Sequence, residues 1–292
     1  LEFVVEFCRH GARNTMVEEY DDIDNYRFKV EDGELTPVGM RQHFLIGTEL
    51  RRRYVVETPL LSPEYNSTEF FAVSSEYSRT NLSAISQIAG LYPLGTGQNL
   101  TDPIQKERSY PPVSGFSFDA LSEELDMRST IESFRSVPVK KLVTKETYFF
   151  VPVFSGACPR LTQGAEVFLT IQENQEFYDN FVSPYVEDLA QITGKELSPL
   201  LEDHATVYLT FDEMLCQIYG GNTPEGLTMD LLQNLFAINE FQFYYYDYPT
   251  DEMKKLGRSA MLLKLEEVLL DYINHRNDYK FVLLSGHDDT VT

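Results

Sequence analysis

Segments with a strand pattern lie near both ends of this chain, and the long stretch between them is patterned mainly for helices. Few architectures accommodate that order. Residues 1–7 alternate Leu1, Phe3, Val5 and Phe7 with Glu2, Val4 and Glu6, a period of two. A short apolar run at 69–73 ends at Ser74-Ser75, and residues 280–284 run into Ser285-Gly286-His287-Asp288-Asp289. Between the first two, Thr36-Pro37 has the form of an N-cap followed by Pro at the first helical position. In that helix Met40, Phe44, Gly47 and Tyr54 are expected on one face, with Arg51-Arg52-Arg53 near the end, where cations suit the dipole. Residues 80–91, 164–189, 206–219 and 251–275 carry helical spacing. The stretch 224–246 is crowded with aromatics, including Phe241, Phe243, Tyr244, Tyr245 and Tyr246, and reads as core packing. A composition shift rich in Pro, Gly and Ser falls at 95–115. The order implies an α/β core assembled from 1–110 plus 250–292, with a mostly helical insertion at 111–249.

Each of the three strand patterns ends in basic or imidazole side chains: Arg9-His10-Gly11-Ala12-Arg13, then Arg79, then His287-Asp288. In open α/β sheets ligands bind beyond the carboxyl ends of the strands. If these strands are parallel neighbours, Arg9, His10, Arg13, Arg79 and His287 converge on one small volume. The chain balances 24 Lys and Arg against 46 Asp and Glu, a formal charge of −22. Such a surface disfavours nucleic acid and anionic membrane as partners. An anion site here must be a local cluster of Arg, whose forks match phosphate oxygens.

Other features read more plainly. His43 within the first helix, His204 in a polar loop and His275 at a helix end take structural or solvent roles. Cys8 reads as a small buried hydrophobe. With Cys158 and Cys216 it makes three cysteines, so at least one is unpaired within this chain. Asn66, Asn81 and Asn99 head glycosylation triplets, and the one at Asn81 falls in an expected helix. No apolar run approaches the about 18 residues that span a bilayer, so membrane association is expected only through an unseen terminal anchor. The first residues already read as strand without an initiator Met, as expected if a secretory signal has been removed.

The motifs together resemble those of the histidine acid phosphatases, the branch of the histidine phosphatase superfamily that includes prostatic and lysosomal acid phosphatases and phytases. Arg9-His10-Gly11-Ala12-Arg13 is similar to the Arg-His-Gly-x-Arg signature. The segment from Leu35 through Thr36, Pro37 and Gly39 is similar to the Leu-Thr-x-x-Gly helix start. Ser74 to Ala84 resembles the second Arg motif, Cys158-Pro159-Arg160 a cysteine segment of the acid phosphatase subgroup, and Ser285 to Thr290 the closing His-Asp motif. The resemblance implies a phosphoglycerate-mutase-like sheet core flanked by helices, with a mostly helical inserted domain. It implies a phosphate-monoester hydrolase working through a phosphohistidine on His10, with Arg9, Arg13, Arg79 and His287 binding the phosphate. Asp288 is implied as proton donor, with the adjacent Asp289 the alternative carboxyl. No cofactor or metal is implied. The implied partner is a small-molecule phosphate monoester, and the implied location is secreted or in an acidic, lysosome-like lumen. A phytase-like inositol-phosphate phosphatase and a non-catalytic phosphate-binding relative are the alternatives.

This sequence also departs from the family pattern. Arg13 is followed by Asn14-Thr15, where the signature usually continues x-Pro. The acidic run Glu18-Glu19-Tyr20-Asp21-Asp22 beside the signature suits less highly charged monoesters than inositol phosphates. The chain stops just after the His-Asp motif although related proteins continue. In the subgroup, the disulfide partners of cysteines placed like Cys158 and Cys216 lie in that later part, so truncation is expected to leave them unmatched.

Overall fold

In a computed structural model, described over residues 1–16, 30–152, 156, 158–241 and 247–291, the chain is a mixed α/β fold on a four-stranded parallel sheet. The acidic run at 18–22, the aromatics at 243–246 and the side chains of Phe241, His204 and Asp289 lie outside the described residues.

The strands are β1 (Val4–Arg9), β2 (Phe70–Ser74), β3 (Lys140–Lys141) and β4 (Phe281–Gly286), in spatial order β1-β4-β2-β3. The central strand β4 is buried at every position, as expected for a parallel sheet covered on both faces. Phe281 and Leu283 pack with Phe70, Ala72, Ile88 and Leu91 on one face, whereas Val282 and Leu284 pack with Val73, Phe149 and Phe150 on the other. The sequence pattern stopped β1 at Phe7. Pairing with β4 extends it, because Cys8 and Arg9 stand opposite Ser285 and Gly286.

Helix α1 (Pro37–Arg51) begins where the sequence places it, with the Thr36 side chain accepting from the Gly39 N–H. It passes into a π-helical turn over Arg52–Glu57. Its inner face differs from the expected one. Gly39, His43 and Gly47 are buried, whereas Met40 and Phe44 are 39% and 41% exposed. The reason is close backbone packing against α2 (Ser78–Leu91): a Cβ at Gly47 would run into the Gln87 carbonyl, and one at Gly90 into the Phe44 carbonyl. Glycine allows this contact, and larger apolar residues are turned outward.

Helices α3 (Pro103–Arg108) and α4 (Asp119–Leu125) precede β3. The following helices are α5 (Gly164–Phe168), α6 (Gln172–Phe181), α7 (Val186–Thr193), α8 (Leu197–Glu202), α9 (His204–Tyr219) and α10 (Met229–Phe241). An apolar cluster of their own includes Phe168, Val186, Leu189, Leu200, Phe211 and Leu235. The 23-residue α11 (Asp251–Ile273) then leads to β4 and to α12 (Asp288–Val291). Among the described residues no helix is long and apolar enough to cross a membrane.

Candidate active site

Sheet register brings the three motifs together. Beyond the paired ends, the His10 N–H donates to the Gly286 carbonyl at 3.0 Å and the Ser75 N–H donates to the Ser285 carbonyl at 3.1 Å. His10, Ser75 and His287 therefore leave three adjacent strands side by side. The loop after β1 is held against α1: a Cβ on Gly11 would come 2.6 Å from the Gly39 carbonyl oxygen. The Gly11 N–H donates to Ser83 Oγ at 3.0 Å, and the Ala12 N–H to Gln42 Oε1 at 2.9 Å.

His10 is 3% exposed. Its Nδ1 lies 2.9 Å from the Gly11 carbonyl oxygen, which can only accept. Nδ1 thus carries the hydrogen, and the Nε2 lone pair is left available. Burial first, then Arg9, with Arg79 and His287 adding to it, holds the His10 pKa well below the ordinary value. This favours the neutral ring, the form in which an imidazole can act as a nucleophile. His287, also 3% exposed, meets the His10 ring edge-on at 5.5 Å between centroids. Its Nε2 lies 2.8 Å from Ser75 Oγ. Burial foremost, then Arg79, takes the His287 pKa down to about 3.

The guanidinium groups differ in how they are held. Arg9, at the end of β1, donates Nε to Asp288 Oδ2 at 2.8 Å from a half-exposed position. Arg13 is buried, and its Nη2 donates to both oxygens of Asp212, at 3.0 and 2.9 Å. Burial works against the Arg13 charge, but Asp212 more than offsets this and its pKa lies above the ordinary value. Arg79 sits in the first turn of α2, its guanidinium carbon 4.5 Å from the centre of the Tyr77 ring. Burial and then Arg13 hold its pKa below the ordinary value. Nε of Arg13 and of Arg79 are both buried without a hydrogen-bond partner. A buried unpaired donor is costly, and an acceptor that reached either group would offset that cost.

All six residues singled out from the sequence thus come together in one cluster. Helix α9 adds others that the sequence reading missed: Tyr208, Asp212 and Cys216, spaced by four, share one face of that helix. Cys216 Sγ lies 3.5 Å from Arg13 Nη1, and burial pushes its thiol up to about 12. Tyr208 is raised above the ordinary tyrosine range by burial and by Asp288 and Asp212, so it stays a neutral phenol beside the cluster. The spacing was visible in the sequence, but not which surface it faces. His43, given a structural role, is buried with Nδ1 2.9 Å from Gln87 Oε1. Cys8, Cys158 and Cys216 are free thiols in this structure. Burial, then Glu6, raises the Cys8 thiol to about 12, in keeping with a small hydrophobe.

Known proteins resemble this chain in sequence and in fold. Human lysosomal acid phosphatase is 26% identical over 298 aligned residues, covering the whole of this chain and 61% of that protein. Bovine prostatic acid phosphatase is 24% identical over 297, covering the whole chain and 67% of its own length. The chain spans about six-tenths of the length of the lysosomal relatives. Among solved structures, a Klebsiella phytase matches with a TM-score of 0.62 at 14% identity, covering 100% of this chain and 71% of its own. A Hafnia alvei phytase in complex with myo-inositol hexakis sulphate matches with a TM-score of 0.59 at 15% identity, covering 100% and 73%. These last likenesses show the fold. A family model for the histidine phosphatase superfamily, branch 2, matches residues 1–292, and the chain belongs to that family.

Proposed function

We propose that the protein hydrolyses phosphate monoesters in two steps, as an acid phosphatase with His10 as nucleophile. The observation that carries this reading is the neutral His10 ring, with Nε2 unprotonated, among guanidinium groups of which two keep a buried, unpartnered Nε–H. In the first step Nε2 attacks phosphorus, the P–N bond forms and the P–O bond to the leaving group breaks. Arg9, Arg13, Arg79 and His287 bind the equatorial oxygens and offset their charge. Asp288 protonates the departing alkoxide, then takes a proton from the water that cleaves the phosphohistidine. Arg9 bears on both roles, since its Nε already engages Asp288. A phosphoryl group binding Arg9 would lie beside the carboxyl that must serve the leaving oxygen.

A simple monoester suits this pocket better than an inositol polyphosphate, because the Arg cluster is local while the chain as a whole carries −22. The kinship with lysosomal and prostatic acid phosphatases favours a lysosomal or secreted location. The division into a core of 1–110 plus 250–292 and an insertion at 111–249 belongs to the same reading. It draws support from the separate apolar cluster of α5 to α10, with β3 as the part of the second segment that joins the sheet.

The test is hydrolysis of a chromogenic aryl phosphate across pH, for wild type and His10→Ala. An acidic optimum is expected for wild type, and background activity for the variant. Alkaline quench of the wild type during turnover should trap phosphate on His10, because the P–N bond of a phosphohistidine survives in base and is lost in acid. Absence of turnover by the wild type at every pH would leave the pocket a binding site only.

A further inference from the structure

The His287 ring ends a chain of three hydrogen bonds whose protons can be counted. Tyr77 offers only its carbonyl oxygen, so Thr80 Oγ1 donates its single proton there, at 2.8 Å. Ser75 Oγ lies 2.8 Å from Thr80 Oγ1. Two oxygens this close need a hydrogen between them, and the one on Thr80 is already in use, so Ser75 donates. Ser75 then has only lone pairs to offer His287 Nε2, 2.8 Å away, and Nε2 must carry the ring hydrogen. Ser75 and Thr80 are both 0% exposed, so bulk water does not compete for these bonds. A neutral imidazole has one N–H. Nδ1 of His287 is therefore left with a lone pair.

That lone pair belongs to a ring packed among the groups of the candidate anion site. The groups facing it are the His10 ring at 5.5 Å, the Tyr77 ring at 5.0 Å and the charges of Arg9, Arg13, Arg79 and Asp288. Three guanidinium groups invite an oxyanion, yet a bare imidazole nitrogen repels an anion oxygen. The two demands are reconciled only by a hydrogen between nitrogen and oxygen.

We infer that an oxyanion enters this pocket together with one proton, held between Nδ1 of His287 and an anion oxygen, and that Ser75 and Thr80 are positioning residues that impose the requirement. This rests on the reading of the pocket as a phosphate site. The proton comes from solvent. A dianion takes it up as an Nδ1–H bond on the ring, and a phosphate monoanion brings it as a P–O–H donating to Nδ1. The pKa of about 3 for His287 agrees, since without an anion the ring holds one hydrogen over most of the pH range. A preference for acid pH then begins at binding, before any chemistry.

Sulfate is the probe, because it enters as a bare dianion and any proton taken up belongs to the protein. Calorimetric titration of the wild type, in buffers of different ionisation enthalpy, should show about one proton taken up per sulfate. The association constant should fall about tenfold per pH unit between about pH 5 and about pH 7. His10→Ala should keep this uptake. Thr80→Val is the discriminating variant. Without the Thr80 acceptor, Ser75 is free to donate to Nε2, the ring hydrogen moves to Nδ1, and a neutral His287 can then serve the anion. Its sulfate affinity should lose most of the pH slope and exceed that of wild type about tenfold near pH 7. Ser75→Ala, which removes the acceptor for Nε2, should also flatten the slope. Sulfate binding by wild type without proton uptake, or an unchanged slope in a folded Thr80→Val, overturns the inference while leaving the phosphate site standing. Failure of wild type to bind sulfate or inorganic phosphate at any pH removes the phosphate site itself. If neither variant folds, proton uptake by wild type and His10→Ala decides the matter.

Discussion

Arg13 is held on one side and open on another. Its Nη2 is committed to Asp212, 199 positions away, while its Nε is buried and unpartnered. Both members of the ion pair are largely buried, with side chains 6% and 12% exposed. Removing one partner of such a pair leaves an uncompensated charge and costs about 3–5 kcal/mol. Asp212→Asn should therefore lower stability by an amount of that order in urea unfolding. An unpaired guanidinium gains more from an incoming anion, so inorganic phosphate should raise the melting temperature of Asp212→Asn more than that of wild type. An equal rise in both would mean that Arg13 lies out of reach of the anion.

Between elements, β1, α1 and α2 are joined by polar groups as well as glycine contacts. Gln87 Nε2 of α2 donates to Glu6 Oε2 of β1 at 2.8 Å, and Gln87 Oε1 faces His43 of α1. Burial raises the Glu6 pKa from 4.5 to about 7, against the lowering effect of the Gln87 bond. A folded-state pKa above the unfolded one means that the proton stabilises the fold. The contribution is complete below pH 4.5 and is lost as pH rises through about 7. The shift corresponds to about 3 kcal/mol. Glu6→Gln should match wild type near pH 4 and exceed it by up to that amount near pH 8, as read by urea unfolding at both.

Much of this arrangement was legible in the residues. The start of α1 could be read from Thr36-Pro37, and the convergence of Arg9, His10, Arg13, Arg79 and His287 from basic groups at successive strand ends. The inner face of α1 could not, because apolar periodicity reports burial against side chains, whereas Gly39, His43 and Gly47 are buried by a neighbouring backbone. Tyr208 and Asp212 escaped for another reason: a four-residue spacing gives a helix face but not the partner it meets. Ser75 and Thr80 stood inside a recognised motif, yet the direction of their hydrogen bonds follows only from distances.

Over the whole molecule, the charge of −22 opposes the local attraction of the Arg cluster. The Debye length shrinks from about 30 Å at 0.01 M salt to about 10 Å at 0.1 M. Screening at that range weakens repulsion from the distant acidic surface more than attraction at contact. For a dianionic aryl phosphate, kcat/KM should rise between those two potassium chloride concentrations. A steady fall would mean that the guanidinium field dominates the approach path.

The spatial order β1-β4-β2 also bears on how the molecule is made. The central strand is translated after both of its neighbours, and Phe281 must find Val4 and Phe70 across more than two hundred residues. While the ribosome is still decoding the helices, β1 and β2 have no common partner, and their backbone edges stay open to wrong associations. Of the four strands β4 is the last to emerge, and only its insertion brings the His10, Ser75 and His287 strand ends side by side.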